Sequence, residues 1–450
     1  MGVNTGADAP SDSGRRSLLE RALGVFTEVR EGEGATALAL ALNIFLILTA
    51  YYLIKPVREA LILSIPGGAE IKSYAAAGQA LLLLVLVPAY GWLASRVPRM
   101  RLIDSVTLFF AACLGVFYLA ITAGVQVAVA FFLWVGVFNL MVPAQFWAFA
   151  NDLYSPEQGK RLFVLVAFGA SSGAVFGSFL ADRMIRYVGV YEMLLAAGAL
   201  LAGTLVITHW VNGRESRAPE AGGPRQKAAD EPLEEGNAFG FVFRNRYLLL
   251  LALMLLFNNW VNANGEYILG RIVKEAAEAA MGAGSGHESE FIAGFYARYF
   301  GVVNLVGMML QLFVVSRVIK YIGVPVAVCL LPAIVLGSYA MIVALPVLGV
   351  VRWVKTAENA TDYSLQNTVK QVLYLPTTRT EKYKAKQAID TFFVRAGDLC
   401  SAGLVLVGTH LLLLEVRGFA FATMALGAVW FVLSLMLGRR FRELVPSQPA

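Results

Sequence analysis

Apolar runs of about twenty residues recur along almost the whole chain, and each is long enough to cross roughly 30 Å of hydrocarbon as a helix. A helix permits this because its backbone hydrogen bonds close within the segment. Candidate spans read at residues 36–54, 73–95, 102–123, 126–149, 162–181, 191–212, 247–272, 291–315, 324–345, 347–373, 386–414 and 418–438. Composition agrees. Of the 450 residues, 58% are hydrophobic and 15% charged, against roughly 25% charged in soluble domains, and the mean hydropathy is +0.64. The expected fold class is an all-α polytopic membrane protein of about twelve transmembrane helices, embedded in a lipid bilayer.

The formal net charge of +6 does not point to nucleic acid, since the basic residues are dispersed at the ends of apolar runs instead of gathered on a soluble module. They concentrate in alternate connections: RVPRMR (96–101), GKR (159–161), the 213–246 segment, SRVIK (316–320), RTEKYKAK (379–386) and the RRFR tail. By the positive-inside rule these connections and both termini face the cytoplasm, with the chain in the inner (cytoplasmic) membrane of the cell; Arg183 and Arg186 depart from the pattern. Cys113, Cys329 and Cys400 lie inside apolar segments without CxxC spacing, and only three histidines are present, so no disulfide, metal site or cofactor is expected. The polar start does not read as a cleaved signal peptide. MGVNTG matches a myristoylation pattern superficially, but a chain with many spans needs no lipid anchor.

The stretch GRESRAPEAGGPRQKAADEPLEEGN (213–237) is rich in Pro, Gly and charge, and falls between the sixth and seventh spans. It divides the chain into a cytoplasmic N-terminal segment (1–34), a six-helix half (35–212), a cytoplasmic linker (213–246), a second six-helix half (247–440) and a tail (441–450). Residues 17–30 (SLLERALGVFTEVR) carry an amphipathic pattern, fitting an interfacial helix or an ordinary cytoplasmic one. An internal echo relates the halves: EQGKRLFVLVAFGASSGAVFGS (157–178) and KYKAKQAIDTFFVRAGDLCSAG (382–403) each run from a basic loop into a helix rich in small residues. Two six-span halves joined by a cytoplasmic linker form the architecture of major-facilitator-like transporters, whose substrate site lies near midplane between the halves.

Ionisable groups inside spans are costly and mark a substrate or ion path by default. The first span ends in Lys55, Arg58 and Glu59, with Pro56 bending the helix among them; the seventh carries Glu266, Arg271 and Lys274, and the eighth Arg298. The tenth has Lys355, Glu358, Asp362 and Lys370; the eleventh has Asp390, Arg395 and Asp398. Three- and four-residue spacing puts Lys55, Arg58 and Glu59 on one helix face, and likewise Lys355, Glu358 and Asp362. The cations outnumber the acids, which argues for a phosphorylated or multiply carboxylated substrate. The alternative for any one of them is snorkelling to the headgroups, as for Lys55, Lys274 or Lys370, or pairing that holds helices together. The aromatics of FWAFAN (146–151), with Trp353, Tyr363 and Tyr374, either stack on a base or belong to the interfacial belt and core packing. FGASSGAVFGS (168–178) lacks the spacing of a phosphate loop and reads as a close helix-packing face. No nucleophile, base and orienting acid occur together, so the chain does not read as an enzyme.

YYLIKPVREALILS (51–64) followed by GAEI (68–71), FWAFAN before a basic loop, and KAKQAID (384–390) opening the eleventh span together resemble the ATP/ADP translocase family, the nucleotide transporters of plastids and intracellular bacteria. The resemblance covers most of residues 35–440 at low identity. It implies a twelve-span facilitator-like fold and exchange of ATP for ADP plus phosphate, or of other nucleotides, without hydrolysis. It also implies a functional basic residue at Arg58 and a functional glutamate at Glu266. The glutamate expected in the fourth span falls at Val135, and the lysine expected in the eleventh falls at Asp398, with Arg395 one turn earlier.

The expected function is therefore a monomeric secondary transporter exchanging nucleotides, ATP against ADP by default, through a basic central cavity. Its substrate-binding residues are expected to be Lys55, Arg58, Glu59, Glu266, Arg271, Arg298, Lys355, Lys370, Arg395 and Asp398, with Glu59 and Glu266 as gates. Two alternatives stand beside it: a proton-coupled carrier of another organic or phosphorylated anion, and a membrane sensor or scaffold that does not transport.

Overall fold

The computed structural model of the protein describes residues 27–30, 32–216, 238–282, 287–378 and 385–445. The amphipathic pattern of residues 17–30 therefore lies mostly outside the described residues, and Thr27–Arg30 are not helical. Most of the 213–237 linker and the end of the tail lie outside them too.

The first group of helices is α1 (Glu33–Leu63), α2 (Gly68–Ala94), α3 (Arg99–Thr122), α4 (Ala128–Leu153), α5 (Pro156–Tyr187) and α6 (Met193–Glu215). A short helix, Ala238–Arg244, precedes the second group. That group begins with α7 (Arg246–Met281), α8 (Glu288–Phe313) and α9 (Val324–Ala344). In α10, Leu348–Thr361 and Asn367–Leu373 flank a π-helical turn, Asp362–Gln366; in α11, Lys386–Ala388 and Val394–His410 flank another, Ile389–Phe393. The last helix is α12 (Val416–Leu444). Among the described residues, 11 helices are long and apolar enough to cross a membrane. The remaining position is α10, broken by its π turn and charged by Lys355, Glu358, Asp362 and Lys370.

Most ends fall within a few residues of the apolar runs, but α1 is the informative exception. It does not stop near residue 54; it continues through Pro56 to Leu63 as one helix, so Lys55, Arg58 and Glu59 lie within it, not beyond its end. Local signals explain other boundaries. Ser155 and Gln158 close a capping box at the start of α5, with reciprocal bonds of 3.3 and 3.0 Å. The Asn245 side chain caps α7 by accepting from the Tyr247 amide at 3.0 Å.

Neighbour relations repeat with an offset of six helices. α1 packs on α4, α5 and α6 as α7 packs on α10, α11 and α12, and α3 meets α6 as α9 meets α12. Contacts between the groups follow the same two-fold logic, α5 and α1 against α8, and α2 against α11 and α7. This is the 6+6 major-facilitator-like arrangement. The end of the bundle that carries the 216–238 connection is called the linker end below.

The small residues of α5 act as expected. Gly169 and Gly173 lie against the α1 backbone so closely that a Cβ on either would come within 2.4 Å of the carbonyl oxygen of Ala41 or Phe45. A second close approach sits at the connection between α1 and α2. Gly67 takes φ +66°, and a Cβ on Gly68 would meet the Ile62 carbonyl at 2.3 Å. That tight reversal brings the first turn of α2 back beside the last turns of α1. Replacing Gly173 by leucine is expected to cost about 1–3 kcal/mol by overpacking the α1–α5 contact, read as unfolding of the detergent-solubilised protein; wild-type stability would show that these backbones do not touch.

Candidate functional site

A cavity of about 250 Å³ lies between the helix groups. It is lined by Tyr51, Lys55 and Arg58 of α1, Lys72 of α2, Phe132 of α4, Asn259, Asn262 and Glu266 of α7, Phe300 of α8, Tyr363 of α10, and Asp398 and Ser401 of α11. The positions follow from helix geometry. Three- and four-residue steps carry Lys55, Arg58 and Glu59 down the inner face of α1, and seven-residue spacing returns Asn259 and Glu266 to the inner face of α7.

Glu59 is 1% exposed, and two cations from either side of the 64–67 reversal converge on it. The Arg58 guanidinium donates to Oε1 from Nε at 3.1 Å and also from Nη2. Lys72 Nζ lies 2.7 Å from Oε2 as an ion pair. The same ammonium is 3.7 Å from Glu266 Oε2 and so ties the two helix groups together. Glu266 in turn accepts from Asn359 Nδ2 at 3.0 Å, and Asn359 also donates to the Tyr299 hydroxyl at 2.9 Å. An unpaired ion at this depth would cost several kcal/mol, on the order of the insertion penalty of a charged residue. Mutual neutralisation of Arg58, Lys72, Glu59 and Glu266 removes that penalty.

Lys55 stands apart. Among the described residues no carboxylate lies within ion-pair distance of it. Its ammonium rests instead 3.8 Å from the Phe300 ring centroid, with Tyr52 at 5.3 Å and Tyr51 at 5.8 Å. Asp398 is compensated on its own helix by Arg395 at 3.3 Å, and Asn259 donates to it at 2.8 Å. Lys55, Arg58, Lys72 and Arg395 thus face Glu59, Glu266 and Asp398, and the surplus is the single charge of Lys55.

Of the residues expected from sequence, Lys55, Arg58, Glu266 and Asp398 line the cavity, with Glu59 and Arg395 directly behind their partners. Lys355 is fully buried, paired with Glu358 at 2.9 Å and 3.3 Å from Asn262 Oδ1, so it meets the cavity only through Asn262. Lys370 belongs to a neighbouring cavity and pairs with Asp390 at 2.8 Å. Arg271 and Arg298 lie outside both. Arg271 binds Glu275 at 3.2 Å and the Leu414 carbonyl at 3.3 Å; Arg298 bridges to Asp182 of α5 at 3.1 Å. With Lys274 donating to the Ile65 carbonyl at 2.5 Å and Tyr267 to Glu70 at 3.0 Å, Arg298 fastens the helix groups at the end away from the linker.

Sequence reading misses Lys72, because the apolar run starts at 73 while the helix starts at Gly68. It also passes over the amides of NNWVNAN (258–264), whose density inside an apolar span is the available signal. Val135 is fully buried in the apolar core, so no acid from that position enters the site. Phe146 and Phe149 are buried within the first helix group, Tyr374 is buried beside Lys386, and Trp353 is exposed on the outer surface. Tyr363 alone among the aromatics singled out faces the cavity.

No protein-family model matches the chain. It is similar to "ADP,ATP carrier protein 1" of Chlamydia pneumoniae, 25% identical over 313 residues, which is 60% of this chain and 58% of that protein. It is similar to the protein of the same name from Chlamydia muridarum (strain MoPn / Nigg), 24% identical over 345 residues, 67% of this chain and 63% of the relative. A Rickettsia bellii (strain RML369-C) protein, again of that name, is 19% identical over 324 residues, 66% of this chain and 64% of the relative. The chain thus spans about three-fifths of the length of the curated relatives it matches. Among solved structures, it resembles a bacterial homologue of the human lysosomal transporter Spinster (TM-score 0.59, 15% identity, 94% of this chain and 100% of that one). It also resembles an auto-inhibited POT family peptide transporter (0.64, 12%, 92% and 99%) and the nucleoside transporter NupG (0.58, 11%, 92% and 100%). These likenesses establish the fold.

Removing Lys72 leaves Glu59 with one cation and releases Glu266. Lys72→Ala is expected to cost about 3–5 kcal/mol, as for a broken buried pair, whereas Lys55→Ala, which loses ring contacts, should cost about 0.5–2 kcal/mol. Unfolding of the purified protein in detergent measures both, and equal costs would contradict the assigned pairing.

Proposed function

We propose, from the premise that the chain is a divergent relative of the ADP,ATP carrier proteins, that it is a secondary transporter which exchanges nucleotides, ATP against ADP, by alternating access. The moving bodies are residues 35–212 and 247–440, and the linker end faces the cytoplasm. The observation that carries this reading is the convergence of Lys55, Arg58 and Lys72 on one cavity wall between the halves, with Lys55 free of any carboxylate partner among the described residues.

Phosphate oxygens suit this wall. Lys55 offers an uncompensated ammonium, and the Arg58 fork can turn from Glu59 to a phosphate with two parallel bonds. A phosphate that draws Lys72 toward itself weakens the Lys72–Glu266 bridge, now 3.7 Å long, and with it one fastening between the halves. The four charges satisfy one another and tie the halves together at that end. Substrate replaces the internal partners, so the loaded carrier reorients more readily than the empty one, which is the condition for exchange. The protein needs no hydrolysis for this cycle; differential binding between the two orientations suffices.

A second reading, a proton-coupled carrier of another organic anion, is favoured by Asp398, a carboxylate at the cavity wall where a nucleotide exchanger gains nothing from negative charge. The two readings separate in uptake measurements on cells expressing the protein. Exchange requires that preloaded ADP accelerate entry of labelled ATP regardless of a pH gradient; acceleration by the gradient alone supports the second. Arg58→Ala removes a charge-assisted contact worth about 1.5–3 kcal/mol and should weaken apparent ATP affinity about 10- to 100-fold, compared at equal amounts of folded protein because the same change leaves buried Glu59 with one cation. Wild-type uptake by Arg58→Ala would remove it from the site.

A further inference from the structure

A second cavity, of about 420 Å³, adjoins the ionic one toward the linker end and shares two walls with it, Asn259 and Tyr363. Its chemistry differs. Instead of clustered cations it presents Asn258, Asp362, Gln366 and Asn367, and its one lysine, Lys370, is held by Asp390 at 2.8 Å. Three of its polar groups are short of donors. Gln366 is 2% exposed, its Nε2 is directed to the Met254 sulfur at 3.6 Å, and its Oε1 has no partner among the described residues. Asn259 commits its amide hydrogens to the Val394 carbonyl at 2.7 Å and to Asp398 at 2.8 Å, which leaves its carbonyl oxygen to accept. Among the described residues, Asp362 receives only a long contact, 3.5 Å, from Asn258. Beside these acceptors stands Tyr363, 45% exposed although it lies within a span. The π turn Asp362–Gln366 carries Asp362, Tyr363 and Gln366 together, and such turns often accompany functional sites.

A buried acceptor without a donor at Gln366, half-buried acceptors at Asn259 and Asp362, and an open aromatic face suit a planar ring that bears an amine and is linked to a sugar with free hydroxyls. Asp362 at the same time disfavours phosphate here, while Lys55, Arg58 and Lys72 attract it next door. The step along α7 from Asn258 to Glu266 is eight residues, about 12 Å of helix rise. That matches the reach of an extended nucleoside diphosphate.

Resting on the nucleotide reading above, we propose that this second cavity is the nucleoside subsite. The base stacks on Tyr363 and gives its amine to Gln366 Oε1, the ribose hydroxyls bond to Asp362, and the phosphates point through the shared wall to Lys55, Arg58 and Lys72.

Binding of ADP, GDP and pyrophosphate to the purified full chain, read by thermal shift and by displacement of labelled ADP, tests this. Tyr363→Ala should weaken ADP about tenfold, the scale of one base-stacking contact, while pyrophosphate binding is unchanged and Tyr363→Phe behaves as wild type. Gln366→Leu should lose any preference for ADP over GDP, because GDP lacks the amine at that ring position; this variant scores the proposal independently should Tyr363→Ala fold poorly. Wild-type ADP affinity in both variants overturns the subsite but leaves the nucleotide reading standing, as does an equal loss of ADP and pyrophosphate. A wild-type protein that ignores ADP defeats the nucleotide reading and the subsite together.

Discussion

A carboxylate buried at 1% exposure within a membrane span must be neutralised, and Glu59 is neutralised twice. Much of the site follows from that requirement. The second cation has to come from a neighbouring element, which demands the tight reversal at Gly67 and Gly68 that returns α2 alongside α1. Because Lys72 then brings more charge than Glu59 alone can use beside Arg58, it reaches across to Glu266 of the other helix group. One buried acid thereby makes a contact between halves out of what would otherwise be a matter internal to α1 and α2.

The charges differ in how replaceable their partners are. Lys355 and Glu358 are sealed from the cavity and complete each other at 2.9 Å, so they read as a fixed support for Asn262 and, through Asn359 on the same helix, for Glu266. Arg58 and Lys72 face the cavity, where an entering anion can share their charge with Glu59 and Glu266. Lys55, held by rings from both halves, is the charge without an internal match. With four charges matched among themselves and the charge of Lys55 left over, the network fits a transporter with an anion-accepting cavity.

How far the sequence could be read follows from the range of the forces involved. Spans are legible because each apolar run must satisfy its own backbone, a local demand, and the boundaries of α3, α6 and α9 fall where the runs end. The packing face of α5 is legible for the same reason, since Gly169 and Gly173 recur at helical spacing. Charge inside spans draws attention to Lys55, Arg58 and Glu266, which line the cavity between the helix groups. Which charges meet is decided by tertiary packing, and there the pattern misleads. Arg271 and Arg298 have the right chemistry but sit on turns nearer the closing end, where Glu275 and Asp182 take them. Lys72 looks like the edge of a span and is instead central, because the helix begins a turn before the apolar run does. The π turn of α10, which sets the direction of Tyr363 and Gln366, leaves no evident mark in the sequence.

The central claim is that an anion loosens the halves at the end away from the linker. Spin labels at Val188 and Glu290, exposed positions at that end of α5 and α8, measure it through their distance distribution. The account predicts one short distance without ligand and a second, longer population on adding ADP, enriched further by Glu266→Gln. A distribution unchanged by ADP at concentrations where ADP is bound would contradict it.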